Sequence, residues 1–201
     1  MAALSTRQAQ LDDTDAIVTI HLASFPGFFL SVLGRRFLRL LYRQFMTTET
    51  GILFVAEQEG KICGFVGGVT QQVGFYATLL RQHKWRFAAA SLGALLRKPS
   101  IGARLLRARK RPREAVESMA EACLMSIGVD PAIEGKGIGR KLVELFCDEV
   151  RNRGGRTVCL TTDTLNNDRV NRFYQGLDFT IAREFVTDEG RSMYEYIRKL
   201  D

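Results

Sequence analysis

The sequence is short of almost everything from which a metal or redox site is built. It holds two histidines, His21 and His83, and four cysteines, Cys63, Cys123, Cys147 and Cys159, none of them at CxxC spacing. Zinc and iron–sulfur sites need clustered imidazoles or thiolates, so no metal cofactor is expected. Each cysteine stands among apolar neighbours and reads as a buried, reduced thiol. No apolar run approaches the roughly 20 residues of a membrane-spanning helix. Met1 to Gln10 has neither the basic stretch nor the apolar core of a signal peptide, which points to the cytoplasm. There is no internal repeat and no Ser/Gly-rich or Pro-rich linker, so residues 1–201 are expected to form one domain. The last shortage is of negative charge in one segment. From 73 to 113 there are eleven Lys and Arg residues and no Asp or Glu, whereas the rest of the chain has 18 basic against 22 acidic residues. One segment makes the protein basic, with a net charge of +7.

What is present alternates between two periods. Thr6 to Leu11 reads as a short strand, and Asp12 and Asp13 are caps for a helix with Ile17, Ile20, His21, Leu22 and Phe25 on one stripe. Pro26 and Gly27 end it. A second helix is expected over Phe29 to Met46, with Leu33, Phe37, Leu40, Leu41 and Phe45 on one face. Gly51 to Gln58 and Lys61 to Thr70 are β-rich runs joined at Glu59-Gly60, a hairpin signal. After the basic segment come a strand (Met119 to Val129), a helix (Lys136 to Arg153) and another strand (Thr157 to Thr162). A helix near Asp168 to Gln175 follows, then two closing strands with a turn at Asp188-Glu189-Gly190. The order β-α-α-β-β-insert-β-α-β-α-β-β implies a mixed sheet with helices on both faces.

Two constellations carry chemistry. Val129 to Leu142 reads VDPAIEGKGIGRKL: a strand ends, a glycine-rich turn follows and a basic amphipathic helix begins. Gly135, Gly137 and Gly139 let successive N–H groups point into one concavity, which together with the positive end of the helix suits a pyrophosphate. Lys136 and Arg140 add charge at the rim. The loop is too short for a Walker motif and too late in the chain for a Rossmann fingerprint. The second constellation, Asn166 to Phe179, reads NNDRVNRFYQGLDF, with Asn167 seven residues before Tyr174.

Together the two stretches resemble the GNAT superfamily of acyl-CoA-dependent N-acyltransferases. That family has an acyl-CoA loop of the form Gln/Arg-x-x-Gly-x-Gly/Ala and a later segment Asn-x-x-Ala-x-x-x-Tyr-x-x-x-Gly-Phe. The sequence departs from the pattern at three positions. Glu134 stands where Gln or Arg is usual. Val170 replaces a small residue. Asp178 replaces the glycine before the last phenylalanine, and Gly176 is expected to take over that turn. The resemblance implies an α/β (α+β) fold: a single-domain, mostly antiparallel twisted sheet with helices on both faces and, in this chain, a basic helical insert over 73–113.

It also implies a reaction, the transfer of an acetyl or other short acyl group from acetyl-CoA or another acyl-CoA to an amine. The strand 119–129 would splay from 157–162, and the pantetheine would lie in the gap against backbone groups of Ile127 and Val129, with the Val129 N–H as oxyanion donor. Glu134, Gly135, Lys136, Gly137, Ile138, Gly139 and Arg140 would surround the pyrophosphate. Asn167 would bond the coenzyme amide or a carbonyl of the splayed strand, or cap the helix that follows. Tyr174 would be the general acid for the departing thiolate, or an aromatic packed on the sheet. Glu121, acting through a water, is a candidate general base, with an edge ion pair as its other role.

The acceptor is expected to be a small-molecule primary amine of lowered pKa, with anionic amino-sugars as the leading class. A lysine-like amine near pKa 10.4 costs roughly 4 kcal/mol to neutralise at physiological pH, and one near 8 costs only about 1 kcal/mol. The insert reads as two amphipathic helices broken at Pro99, with Trp85, Phe87, Leu92, Leu95 and Leu96 among its apolar residues. An acceptor lid, membrane-surface contact through 81–113 and a solvated hairpin all remain open; nucleic acid is disfavoured for want of a stacking pattern. A homodimer is also open. Two other function classes compete: a non-catalytic acyl-CoA sensor or scaffold, and a membrane-surface or polyanion-binding protein acting through the insert.

Overall fold

A computed structural model of the chain describes residues 4–72, 75–97, 120–133, 135–187 and 190–200, with 76–82, 93 and 95–97 described by backbone alone. Its elements are β1 (Leu4–Gln8), α1 (Thr14–Ser24), α2 (Phe29–Leu33), α3 (Arg35–Thr47), β2 (Gly51–Gln58), β3 (Lys61–Val69), α4 (Phe75–Arg97) and β4 (Ala122–Val129). There follow α5 (Ile138–Asn152), β5 (Thr157–Asp163), α6 (Asp168–Gln175), β6 (Thr180–Val186) and β7 (Ser192–Lys199). One seven-stranded sheet runs β1-β2-β3-β4-β5-β7-β6. Every neighbouring pair is antiparallel except β4 and β5, which run parallel.

The two faces of the sheet are closed by different helices because the apolar stripes differ. On one face α5 buries Ile138, Leu142, Val143, Phe146, Cys147 and Val150, the i, i+4, i+5, i+8 spacing of a wide helical stripe, against Ile52, Val66, Leu124 and Leu160. On the other, Ile17, Val18 and Ile20 of α1 and Leu38, Leu41, Tyr42 and Phe45 of α3 pack on Val55, Phe65 and Val69. All four cysteines are buried and lie outside any disulfide. Among the described residues no helix is long and apolar enough to cross a membrane.

Two expectations are corrected here. The helix expected over Phe29 to Met46 is divided into α2 and α3 at Gly34, whose φ of +89° interrupts the helical run. Phe75–Arg97 is one helix with a kink at His83 (φ −125°, ψ 20°), while Pro99 and the basic cluster Arg109-Lys110-Arg111 lie outside the described residues. Phe75 stacks on Phe45 at 5.3 Å and Phe87 meets Phe37 edge-on at 5.0 Å, which seats α4 on α3. Trp85 and Leu92, read from the sequence as apolar-face residues, instead face outward at 78% and 56% exposure.

The feature that shapes the site is in β4. Its register with β5 consists of two pairs, Ala122↔Val158 and Cys123↔Cys159, and beyond them the strands part. On the other side, the β3 register jumps from Gly67↔Ser126 to Gly68↔Leu124, leaving Met125 as an extra residue. That is a β-bulge, which bends and twists the strand that carries it. The bulge also resets the side-chain alternation. Leu124 packs with the α5 cluster and Met125 with the other; Ser126 then faces α3 as well, and Ile127 and Val129 return to the α5 side.

Candidate active site

The parting of β4 and β5 opens a cleft of about 700 Å³. Its walls come from Leu124–Val129 of β4, Leu160–Asp163 of β5, the loop and first turn of α5, α6, the junction between α1 and α2, and Arg191 and Met193 at the start of β7. Asp130 donates its backbone N–H to Cys63 of β3 at 2.9 Å. In an antiparallel pair the groups alternate, so Gly128 faces β3 like Asp130, and the N–H and C=O of Val129 and Ile127 point the other way, into the gap. The Val129 carbonyl accepts from Ser24 Oγ at 3.2 Å, which ties α1 to the rim.

At one end of the cleft Gly135 (φ +86°) and Gly137 (φ +76°) turn the chain through the left-handed region, and nothing lies within 4 Å of where a side chain would start at either. Gly137 is the N-cap of α5, so the helix begins with its first N–H groups at an open concavity that fits a phosphate. Gly139 faces the Phe173 ring, 3.4 Å from an added Cβ, allowing α5 and α6 to approach closely. Arg140 lines the cleft, but one Nη donates to the Gly176 carbonyl at 2.9 Å and clips α5 to the end of α6. Lys136 is exposed and absent from the wall. Glu134 lies outside the described residues.

Along the opposite wall Tyr174 is 5% exposed, and its ring is set edge-on against Phe173 and Phe179. Burial alone pushes its phenol well above the usual range, so it stays protonated. Asn167 stands at the N-cap position of α6 without a side-chain cap bond; its Nδ2 donates to the Asp163 carbonyl at 3.2 Å. That carbonyl belongs to β5, not to the strand 119–129 that was expected to supply it. Asn171, which sequence reasoning missed, does the same more deeply. It is buried, donates to Asp163 O at 3.2 Å and accepts from Thr162 Oγ1 at 2.6 Å. Two asparagines thus hold the end of β5 on the side that β4 has left.

Glu121 does not join this group. It precedes β4 at the closed end of the gap, where its carboxylate accepts from the Arg156 N–H at 3.0 Å and its own N–H donates to Thr157 Oγ1 at 3.1 Å. Its position is that of a tie between two chain segments, outside the cleft wall, and the general-base expectation does not fit it.

The far end is aromatic and carries one charge pair. Phe25, Phe28 and Phe29 line it together with Met125 and Met193. Arg191 forks onto Asp163 (Nε–Oδ1 3.0 Å, Nη2–Oδ2 2.6 Å) and lies over the Phe28 ring at 5.5 Å. None of these was named as a site residue from the sequence, where Phe25 read as part of an apolar stripe; the Pro26-Gly27 break after it was the visible sign that the chain turns there. No described residue of the basic helix α4 lines the cleft.

A seven-stranded, mostly antiparallel sheet that splits between its two parallel strands is the fold that the resemblance implied. Residues 14–179 match the acetyltransferase (GNAT) family model, and the chain belongs to that family. It is 37% identical over 75 residues to the ribosomal protein bS18-alanine N-acetyltransferase of Escherichia coli K12, an alignment covering 35% of this chain and 50% of that protein. The chain thus spans about half the length of the curated relatives it matches. Among solved structures it resembles a Salmonella typhimurium protein with its cofactor acetyl-CoA (TM-score 0.57, 18% identity, 99% and 95% of the two chains). It also resembles the Drosophila melanogaster polyamine N-acetyltransferase that forms N-acetylagmatine (TM-score 0.59, 18% identity, 98% and 100%).

Proposed function

We propose that this protein transfers an acetyl group from acetyl-CoA to a primary amine inside the β4–β5 cleft. The observation that carries the reading is the split between β4 and β5. It presents backbone groups of Ile127 and Val129 to an extended ligand, with the N-terminus of α5 at one end and Tyr174 on the wall. The Ile127 and Val129 edges would hold the pantetheine as an added strand holds to a sheet. The α5 N-terminus and its glycine loop would hold the pyrophosphate. The coenzyme supplies the acyl group as a thioester.

The Val129 N–H would donate to the carbonyl oxygen as negative charge develops there. The new bond joins the amine nitrogen to the acyl carbon, and the bond that breaks is the one to sulfur. Tyr174 would donate a hydrogen bond to the leaving sulfur and, as the thiolate forms, its proton. The extra proton on nitrogen leaves to solvent, and solvent restores Tyr174. Because burial keeps the phenol protonated, the donor stays ready through neutral and mildly alkaline pH.

The acceptor end favours some amines over others. Asp163 is the sole carboxylate among the described wall residues, and Arg191 already neutralises it. A polycation would find no uncommitted carboxylate there. An amine with an apolar body suits the phenylalanines, and Arg140, Arg169 and Arg191 on the wall outnumber its one carboxylate, so anionic amino-sugars stay the leading small-molecule class. The bS18-alanine relative supports a second acceptor, the α-amine of a protein N-terminus, whose pKa near 8 also makes neutralisation cheap, at about 1 kcal/mol.

Loss of the acetyl-CoA thioester, followed against amino-sugar phosphates, alanine-initiated peptides, agmatine and lysine peptides, tests the reading. Turnover with one of the first two classes is expected. Tyr174→Phe should lower kcat by about 10²-fold while acetyl-CoA binds as before; loss of binding would move Tyr174 from chemistry to packing. Tight acetyl-CoA binding without turnover on any amine would favour an acyl-CoA sensor, and failure to bind it would end the proposal.

A further inference from the structure

The cleft wall contains a polar assembly that the reaction as written leaves idle. His21 is 3% exposed, with its ring against Phe25 and Phe65. Its Nδ1 lies 2.6 Å from the Tyr42 hydroxyl, and its Nε2 is buried with no hydrogen-bond partner. The Tyr42 hydroxyl in turn lies 3.0 Å from Ser126 Oγ. His21 and Ser126 both line the cleft, and Tyr42 is fully buried behind them. A buried polar atom without a partner is costly, and apolar replacements of the same shape would remove that cost. A chain of three polar groups with such an atom at one end and a cleft-wall hydroxyl at the other therefore calls for a role beyond packing.

We propose that Ser126 is a catalytic residue whose hydroxyl accepts a hydrogen bond from the attacking amine, with Tyr42 and His21 as positioning residues that set the direction of that hydroxyl. This rests on the acyl-transfer reading above. A neutral imidazole has one donor and one acceptor nitrogen. With its proton on Nε2, His21 accepts from Tyr42 at Nδ1. The Tyr42 oxygen then accepts from Ser126, and the serine lone pairs are left for the cleft. Burial keeps the imidazole neutral by lowering its pKa to about 4, so the chain is not reversed by imidazolium at neutral pH. An amine that attacks through its lone pair turns N–H groups outward and needs acceptors. The described wall offers few, since Asp163 is taken by Arg191 and the Val129 carbonyl by Ser24. The bulge at Met125 puts Ser126 next to Ile127, whose backbone faces the gap.

Two measurements on the full chain test this. The first is the two-bond ¹⁵N–¹H spectrum of the imidazoles at neutral pH, with His83→Gln to assign the pair. It should show His21 protonated on Nε2. A proton on Nδ1 would make Ser126 a donor into the cleft and overturn the proposal. The second uses an alanine-initiated peptide and agmatine as acceptor probes. Ser126→Ala and Tyr42→Phe should each lower kcat/KM for the amine on the order of tenfold. The affinity for acetyl-CoA should not move. The double variant should be no worse than Ser126→Ala, because Tyr42 acts through the serine, and Ser126→Thr should restore activity. Unchanged amine kinetics, additive losses, or a parallel fall in acetyl-CoA affinity would overturn it. A wild type silent on both amines counts against the acyl-transfer reading instead, and the imidazole spectrum then decides alone.

Discussion

Asp178 holds a backbone φ of +62°, in the left-handed region that a side chain enters only at a cost. The family pattern has glycine at this position, just before the last phenylalanine of the second motif. The expectation that Gly176 would take over the turn is not met, since Gly176 sits at an ordinary φ of −70° as the C-cap of α6. The chain therefore keeps the turn and bears the strain at the aspartate. Asp178→Gly should stabilise the fold by about 1 kcal/mol, less some loss of chain entropy to the glycine. Denaturant midpoints of the two proteins would show it. A fall in stability would mean that the Asp178 carboxylate matters more through its attraction for the Arg198 guanidinium. Tyr174 and Asn167 were named from the sequence because Asn166 to Phe179 resembles a family motif. Asn171, Arg191 and Ser126 were not, since each acquires its meaning from a partner far away in sequence.

At the level of elements, the site depends on how closely β3 and β4 can run past the bulge. A Cβ at Gly68 would lie 2.2 Å from the Cys123 carbonyl oxygen and 2.8 Å from the Phe146 ring, so the position admits no side chain without movement of backbone. Gly68→Ala should cost on the order of 1–3 kcal/mol, the usual penalty of overpacking, and loosen the strand that forms one wall of the cleft. Thermal unfolding with and without acetyl-CoA checks both parts: a lower Tm, together with weaker stabilisation by the ligand. An unchanged Tm would mean that the strands can separate here freely. Periodicity revealed the element order and both packed faces, because a helical stripe or a β-rich run is a local property. The bulge at Met125, the division at Gly34 and the kink at His83 interrupt elements without breaking the apolar pattern around them. Glu121 was misplaced for the same reason. Alternation along the strand names the residues that share a face, but where β4 leaves β5 decides which of them reach the cleft.

For the molecule as a whole, the same burial that positions His21 makes the fold sensitive to acid. The imidazole has an ordinary pKa of 6.5 and is pushed down to about 4 by desolvation in the cluster that joins α1, α3 and β4. The unfolded chain therefore takes up a proton near 6.5, while the folded chain resists until about 4. Between these values the unfolded state binds more protons, so stability falls as pH falls and is level above the window as far as this group is concerned. At about 1.4 kcal/mol for each pH unit, the loss reaches about 3 kcal/mol by the lower end. Asp13 acts in a separate window. Its carboxyl is held below 3.8 chiefly by the Arg7 guanidinium, so its contribution is present above that pH and is lost only in stronger acid. Tyr174 acts at the other extreme: the unfolded phenol ionises near 10 and the buried one later, so stability drops as pH rises past 10. Urea midpoints of the wild type should decline from pH 6.5 towards 4, and those of His21→Gln should be nearly flat over the same interval, whatever its absolute stability. A slope that survives the substitution would assign the acid sensitivity to other groups. A slope that disappears would establish that a cleft-wall imidazole is held neutral at the expense of stability in acid.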